Sequence, residues 1–475
     1  MKKFFEKHDL FKILGIIILL VVILSWIIPT GSYSTEFVSG DRTPIGLTDI
    51  GVYLLLGVYY FAVIITYLLV LGGFYGVISK TKAYASFVEK VSKFLKGKEI
   101  PFVLITSFVI AALAGISNEL YQIIVFIPLL ITIMRKLKMD KMTAFCTTFG
   151  SIFIGLVGAS FSPLVGEYSN YYLNITYKTE LLTKIILFIV TYGLFNFFNI
   201  KHLLNVKKAK KLENEIEEKF EIEKVIATKS KVNFIPMLIV LAIVFVLQVI
   251  AFIGWSDAFE VTCFTKFHTW FTGISVGDYP IVSNILGTLN AEFGKWDLYL
   301  LQIVLIAASV IIALVNKTKI DEYFEQFFAG AKKMCRTTVL VVLAYAICVL
   351  TVIFAFVPTV VDWICSLAKN FNVYLTSLSV FISSIFNVEL RYTVSSIGTY
   401  FAGEFGSEAN SPIIGLILQS IYGFTQFFAP TSAILLIGLS YLNISYKNYL
   451  KYIWKFLLGL LVIILVVISL VTFVF

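Results

Sequence analysis

The sequence predicts an all-α polytopic membrane protein: two inverted repeats with about nine transmembrane helices, two re-entrant hairpins and two broken helices. Three observations carry this reading. First, of 475 residues 59% are hydrophobic and only 14% charged, with a mean hydropathy of +0.91, which is the composition of a membrane protein. Second, the basic residues are segregated. Of 38 Lys and Arg, 31 lie in the segments 1–12, 80–98, 135–141, 201–231, 317–336 and 447–455, and six lie in the intervening polar segments. Cytoplasmic loops carry the Lys/Arg excess, so these basic segments are placed inside, with the N-terminus cytoplasmic and the C-terminus external. Third, each half contains an apolar stretch interrupted near its middle by polar residues, and Arg391, the remaining cation, falls in one of them.

Composition also excludes other classes. The net charge of +9 follows the loops, so nucleic acid is not expected as a partner. The five cysteines form no CxxC pair, and His8, His202 and His268 lie outside the apolar runs. Neither HExxH nor GxxxxGK[ST] occurs, so no metal or nucleotide cofactor is expected, and transport would draw on a gradient. The expected inorganic partner is a coupling ion, Na+ or H+. The other expected partners are a small-molecule substrate and the bilayer of the plasma membrane, with a homodimer left open.

Taken in order, residues 13–29 form a first span ending at Trp26 and Pro29, and the polar loop 30–49 is external. Residues 50–79 form a second span. Lys80 to Lys98 carries lysines around the apolar positions Ala83, Phe87, Val91 and Phe94, the spacing of an amphipathic helix on the inner surface. The segment 100–134 is interrupted at Gly115-Ile116-Ser117-Asn118-Glu119 and has basic flanks on both sides, which requires a hairpin or two very short spans. In 142–176, Ser160-Phe161-Ser162-Pro163 and Glu167 mark an unwound helix. Residues 180–199 return inside. These elements make the first repeat, 1–199. A charged cytoplasmic linker, 200–233, and a linking helix, 234–254, follow; the odd linking helix inverts the second repeat, 255–475.

The second repeat opens with the external loop 255–296, which contains Trp255, Trp270 and Trp296. Span 298–316, a basic amphipathic segment 317–336 and span 337–357 come next. The second hairpin, 374–405, has an apolar arm from Tyr374 to Phe386 that is roughly 20 Å long as a helix, short of the roughly 30 Å hydrocarbon core. Its tip carries Asn387, Glu389 and Arg391. Residues 411–442 are broken at Phe428-Ala429-Pro430-Thr431-Ser432, and 456–475 is the last span.

Ionisable groups at membrane depth cost several kcal/mol and mark function by default. The candidate binding residues are therefore Asn118, Glu119, Ser160, Ser162, Glu167, Asn387, Glu389, Arg391, Thr431 and Ser432. Each has a structural alternative. The asparagines can close the hairpin turns, and the hydroxyls can cap freed helix ends. Glu119 can be a loop carboxylate, Glu167 can lie at the outer mouth, and Glu389 and Arg391 can bridge one another.

The chain resembles the YfcC family of the ion-transporter superfamily, related to anaerobic four-carbon dicarboxylate carriers. The resemblance rests on Trp26-Ile27-Ile28-Pro29-Thr30-Gly31, on Gly72-Gly73-Phe74-Tyr75-Gly76-Val77-Ile78 with Lys80-Thr81, on Asn118-Glu119, and on Pro430-Thr431-Ser432 before the aromatic–lysine run. It implies transport by an elevator motion that carries both hairpins, with basic amino acids, dicarboxylates or related acids as substrates. Two departures stand out: Asn387-Val388-Glu389-Leu390-Arg391 replaces a glycine/serine-rich tip, and Ser162-Pro163 replaces an asparagine before proline. Three carboxylates against one arginine make the expected site net anionic. That favours a basic or zwitterionic amino acid moved by ion coupling or exchange, with a dicarboxylate carrier as the alternative and a channel less favoured. No nucleophile–base constellation suggests an enzyme.

Overall fold

The computed structural model describes residues 9–117, 119–158, 163–176, 178–208, 232–287 and 291–474. Among the described residues it is helical, with strands confined to two short hairpins, Gly31–Tyr33 with Phe37–Ser39 and Ser275–Val276 with Tyr279–Pro280. Among the described residues seven helices are long and apolar enough to cross a membrane, or eight when one bent pair is taken as a single span.

The first half begins with α1 (Asp9–Ile27), α2 (Leu47–Tyr60) and α3 (Ala62–Ile78). α2 and α3 are the bent pair, turning by 62° at the break at Phe61. α4 (Lys82–Leu95) starts at Thr81, whose hydroxyl accepts from the Tyr84 amide at 3.2 Å, the usual way an orphan helix donor is satisfied. Its buried stripe is Ala83, Tyr84, Val88 and Ser92. This differs from the expected stripe at one end: Phe94 is exposed and lies beneath Lys98, 4.2 Å from its ring centre. α5 (Glu99–Ile116), a 3-10 turn (Tyr121–Phe126) and α6 (Ile127–Lys136) form the first interrupted segment. The first broken helix runs α7 (Lys141–Phe145), a π turn (Cys146–Gly150), α8 (Ser151–Val157) and α9 (Pro163–Leu173). α10 (Leu181–Lys208) continues past the expected end of the span.

α11 (Ile235–Phe252) is the linking helix, and the loop after it carries α12 (Trp255–Phe259), α13 (Cys263–Thr272) and α14 (Ile281–Leu286). α13 exposes Phe267, Trp270 and Phe271, the aromatic side chains expected at a membrane surface. α15 (Leu298–Val315) follows, then α16 (Ile320–Ile353). The latter is one continuous 34-residue helix, where the sequence suggested a surface helix followed by a separate span. The reason is visible in its buried positions, Gly330, Met334, Thr337, Thr338, Val341 and Ala344, which continue the three-and-four spacing without a break. The short helix before the second hairpin is instead α17 (Val357–Cys365). α18 (Val373–Phe386) and α19 (Leu390–Phe405) are the arms of that hairpin, α20 (Asn410–Gln426) and α21 (Ala433–Tyr441) the second broken helix, and α22 (Tyr446–Val474) the last span.

α3 packs along α16 and α15, and α16 also packs on α2 and α1. The α3–α16 crossing is made by glycines. A Cβ on Gly72 would stand 2.7 Å from the Gly330 carbonyl, and one on Gly76 2.8 Å from the Gly330 Cα. Small residues let membrane helices approach this closely, where dispersion and not hydrophobic exclusion drives packing. In the other group, α8 packs on α5, α10 and α20, α18 and α19 pack on α20, and α9 packs on α19. The first broken helix thus lies against both hairpins, and the second against the second hairpin and the first broken helix.

Candidate binding site between the hairpin tips

The tips have no helical hydrogen bonding of their own, so their polar groups must be satisfied by neighbours. In the second hairpin, Asn387 and Glu389 are extended (φ −100°, ψ 128° and φ −131°, ψ 151°). The side chains of α20 reach the carbonyls this exposes. Tyr422 donates to the Val388 carbonyl at 3.0 Å, and Gln426 to that of Asn387 at 3.4 Å. Thr431, in the break after α20, donates to the Ile385 carbonyl. Asn387 turns back on its own arm, donating to the Ser383 carbonyl at 3.0 Å and hydroxyl at 3.2 Å. Ser432 caps α21 by accepting from the Leu435 amide at 3.4 Å. For Asn387, Thr431 and Ser432 the structural alternative is therefore realised.

Glu389 and Arg391 form an ion pair, with side chains 15% and 38% exposed. The other Glu389 oxygen accepts from the Tyr345 hydroxyl of α16. Tyr345 is 2.7 Å from the Tyr121 hydroxyl, and the Tyr67 hydroxyl donates to the Tyr121 carbonyl at 2.6 Å. Tyr121 follows Glu119 in the first tip, where the Glu119 carboxylate accepts from the amides of Leu120 (2.9 Å) and Tyr121 (3.1 Å). A chain of tyrosines thus joins the two hairpin tips through the longest helix. Glu119 also interacts electrostatically with both Glu389 and Arg391. Phe61, at the α2–α3 bend, stacks on Tyr345 with ring centres 3.9 Å apart and meets Tyr392 edge-on at 6.0 Å. Arg391 lies 5.3 Å from the centre of the Tyr392 ring, a cation–π distance.

The structure therefore brings together Glu119, Asn387, Glu389, Arg391 and Thr431. Asn118, Ser160 and Ser162 lie outside the described residues, as does the Glu167 side chain, whose backbone sits in α9 against α19. Sequence reasoning missed Phe61, Tyr67, Tyr121, Tyr345, Tyr422 and Gln426. One signal was available: Gln419, Tyr422 and Gln426 recur on one face of α20 within an otherwise apolar helix.

The family model of the C4-dicarboxylate anaerobic carrier, DcuC, matches residues 8–402. The chain belongs to this family. The carrier thus has the relationship its sequence motifs implied, and it is a multi-pass membrane protein of a transport family. It is also similar to the crystal structure of the YdaH transporter from Alcanivorax borkumensis, at 11% identity over 97% of each chain with a TM-score of 0.42. No curated protein matches it in sequence.

Proposed function

We propose that the carrier is a secondary active transporter of a basic or zwitterionic amino acid, bound between the two hairpin tips. One observation carries the choice of substrate: the only arginine at the tips is already paired with Glu389, while Glu119 stands beside them. With both carboxylates ionised, the described site holds one more negative charge than positive. An ammonium group offsets that excess, and the substrate carboxylate shares the Arg391 fork, which suits planar carboxylate recognition. The coupling ion is Na+ or H+, or the carrier works by exchange. Both hairpins move with the substrate past α3 and α16, an elevator motion favoured by the extensive α3–α16 contact. The two halves are related as inverted repeats, the N-terminus and linker are cytoplasmic, and the carrier acts in the plasma membrane.

A second reading has specific support: the matched family is described as a C4-dicarboxylate carrier. A dianion entering this site would have to bring cations that offset Glu119 and Glu389. Counterflow in proteoliposomes separates the readings, using radiolabelled basic amino acids, neutral amino acids and four-carbon dicarboxylates. Saturable counterflow of an amino acid is expected. Counterflow of dicarboxylates alone would overturn the amino-acid reading, and an uncoupled conductance would overturn the carrier mechanism.

A further inference from the structure

Gln419 is 1% exposed, one turn before Tyr422 on the α20 face that supports the second tip. Its Nε2 donates to the Val157 carbonyl at 3.3 Å. Only the amide nitrogen can donate to a carbonyl, so this bond fixes which end of the side chain is which. The remaining atom, Oε1, is buried and has no hydrogen-bond partner among the described residues. An unsatisfied buried acceptor is costly, and native structures keep few of them. Val157 is the last residue of α8, at the break in the first discontinuous helix. The helices are locked together here, because a Cβ on Gly423 would lie 2.8 Å from the Leu156 carbonyl carbon and the Val157 Cα. Gln419 cannot relieve its free acceptor by shifting α20.

We propose that Gln419 is a ligand of the transported molecule, its side-chain carbonyl accepting a hydrogen bond from a substrate N–H. The site requires a donor there, which an ammonium or guanidinium group supplies and a fully ionised dicarboxylate does not. The assignment makes Gln419 a specificity determinant and rests on the amino-acid reading above.

The test uses full-length carrier in proteoliposomes, with Gln419→Leu, Gln419→Met and Gln419→Glu. All three lose the donor to Val157, but Gln419→Glu keeps an acceptor. Loss of one hydrogen bond to a charged group is expected to raise KM for the counterflowed amino acid about tenfold or more in the Leu and Met variants. Vmax should stay within about twofold of wild type. Gln419→Glu should keep a KM nearer to wild type. Equal damage in all three variants together with lowered melting temperatures would assign Gln419 a structural role and overturn the proposal. An unchanged KM in Gln419→Leu, or a change confined to the Na+ or H+ requirement, would overturn it as well. Wild-type counterflow restricted to molecules without an N–H donor overturns the amino-acid reading itself, and that result is read before any variant is made.

Discussion

The Tyr345 hydroxyl donates to the Glu389 carboxylate, across 44 residues of chain and from a helix outside the hairpin. The same hydroxyl meets that of Tyr121 in the other half, 224 residues away. One phenol thus ties the two tips to α16. Tyr345→Phe keeps the ring that stacks on Phe61 and removes both hydrogen bonds. A bond to a charged acceptor contributes about 1.5–3 kcal/mol, so kcat/KM for uptake should fall roughly tenfold to a hundredfold. Uptake at matched expression is the measurement, and near-normal uptake would mean the tyrosine bridge is dispensable.

The Glu389–Arg391 pair can be taken apart by a four-variant cycle. The side chains are partly exposed, so each single change, Glu389→Gln or Arg391→Gln, should cost about 2 kcal/mol of stability, between the values for surface and buried pairs. The double change leaves no unpaired charge and should regain most of that stability. Transport should stay lost in the double variant if the pair also contacts substrate, and Arg391→Lys should fail despite its charge. Melting temperature and uptake report the two effects separately; restored uptake in the double variant would reduce the pair to a structural bridge.

Gly76→Ala should destabilise the α3–α16 crossing, because the added methyl meets the Gly330 backbone, which cannot step aside. Overpacking of this kind costs typically 1–3 kcal/mol. Gly15→Ala and Gly51→Ala, where a Cβ meets nothing within 4 Å, serve as controls and should be neutral or slightly stabilising. Thermal unfolding in detergent compares the three.

Asp140 lies in the loop that enters the first broken helix and accepts from the Met142 and Thr143 amides and from His202, 3.0 Å away. Burial pushes its carboxyl up, but the hydrogen bonds from His202 and Thr143 and the His202 charge outweigh this and hold it below the usual value. A depressed folded value means stability that is present above the unfolded pKa and lost as pH falls through the folded one. The melting-temperature gap between wild type and Asp140→Asn should therefore narrow as pH falls below about 4. A gap that persists unchanged below about pH 3 would assign the acid transition to another group.

Orientation can be read from the native cysteines. Cys263 and Cys335 are both exposed, the first in the predicted external loop and the second in a predicted cytoplasmic segment. An impermeant thiol reagent added to intact cells should label Cys263 and not Cys335. In a cysteine-free background, Gly40→Cys and Asn370→Cys should react from outside, and Lys90→Cys and Glu325→Cys should not. Outside labelling of position 90 or 325 would invert the layout.

Sequence by itself determined the membrane class, the element order apart from α16 and α17, the family resemblance and the position of both interrupted segments. Each follows from quantities local in the chain: hydropathy over one span, lysine density in one loop, and a polar cluster between apolar arms. It could also name Glu119, Glu389 and Arg391 as misplaced in hydrocarbon, because the cost of a charge there does not depend on its partners. Only the tertiary structure decided what those residues touch. Asn387, Thr431 and Ser432 have the same polarity whether they bind a ligand or close a turn, and the choice depends on which carbonyls stand within 3.5 Å. The contacts of Tyr345 and Tyr121 were likewise unreadable beforehand. A tyrosine in an apolar segment is unremarkable in sequence, and gains its contacts only when helices distant in the chain bring a carboxylate or a second hydroxyl against it. Continuity of α16 was decided the same way, by Gly330 meeting Gly72 and Gly76 on another helix.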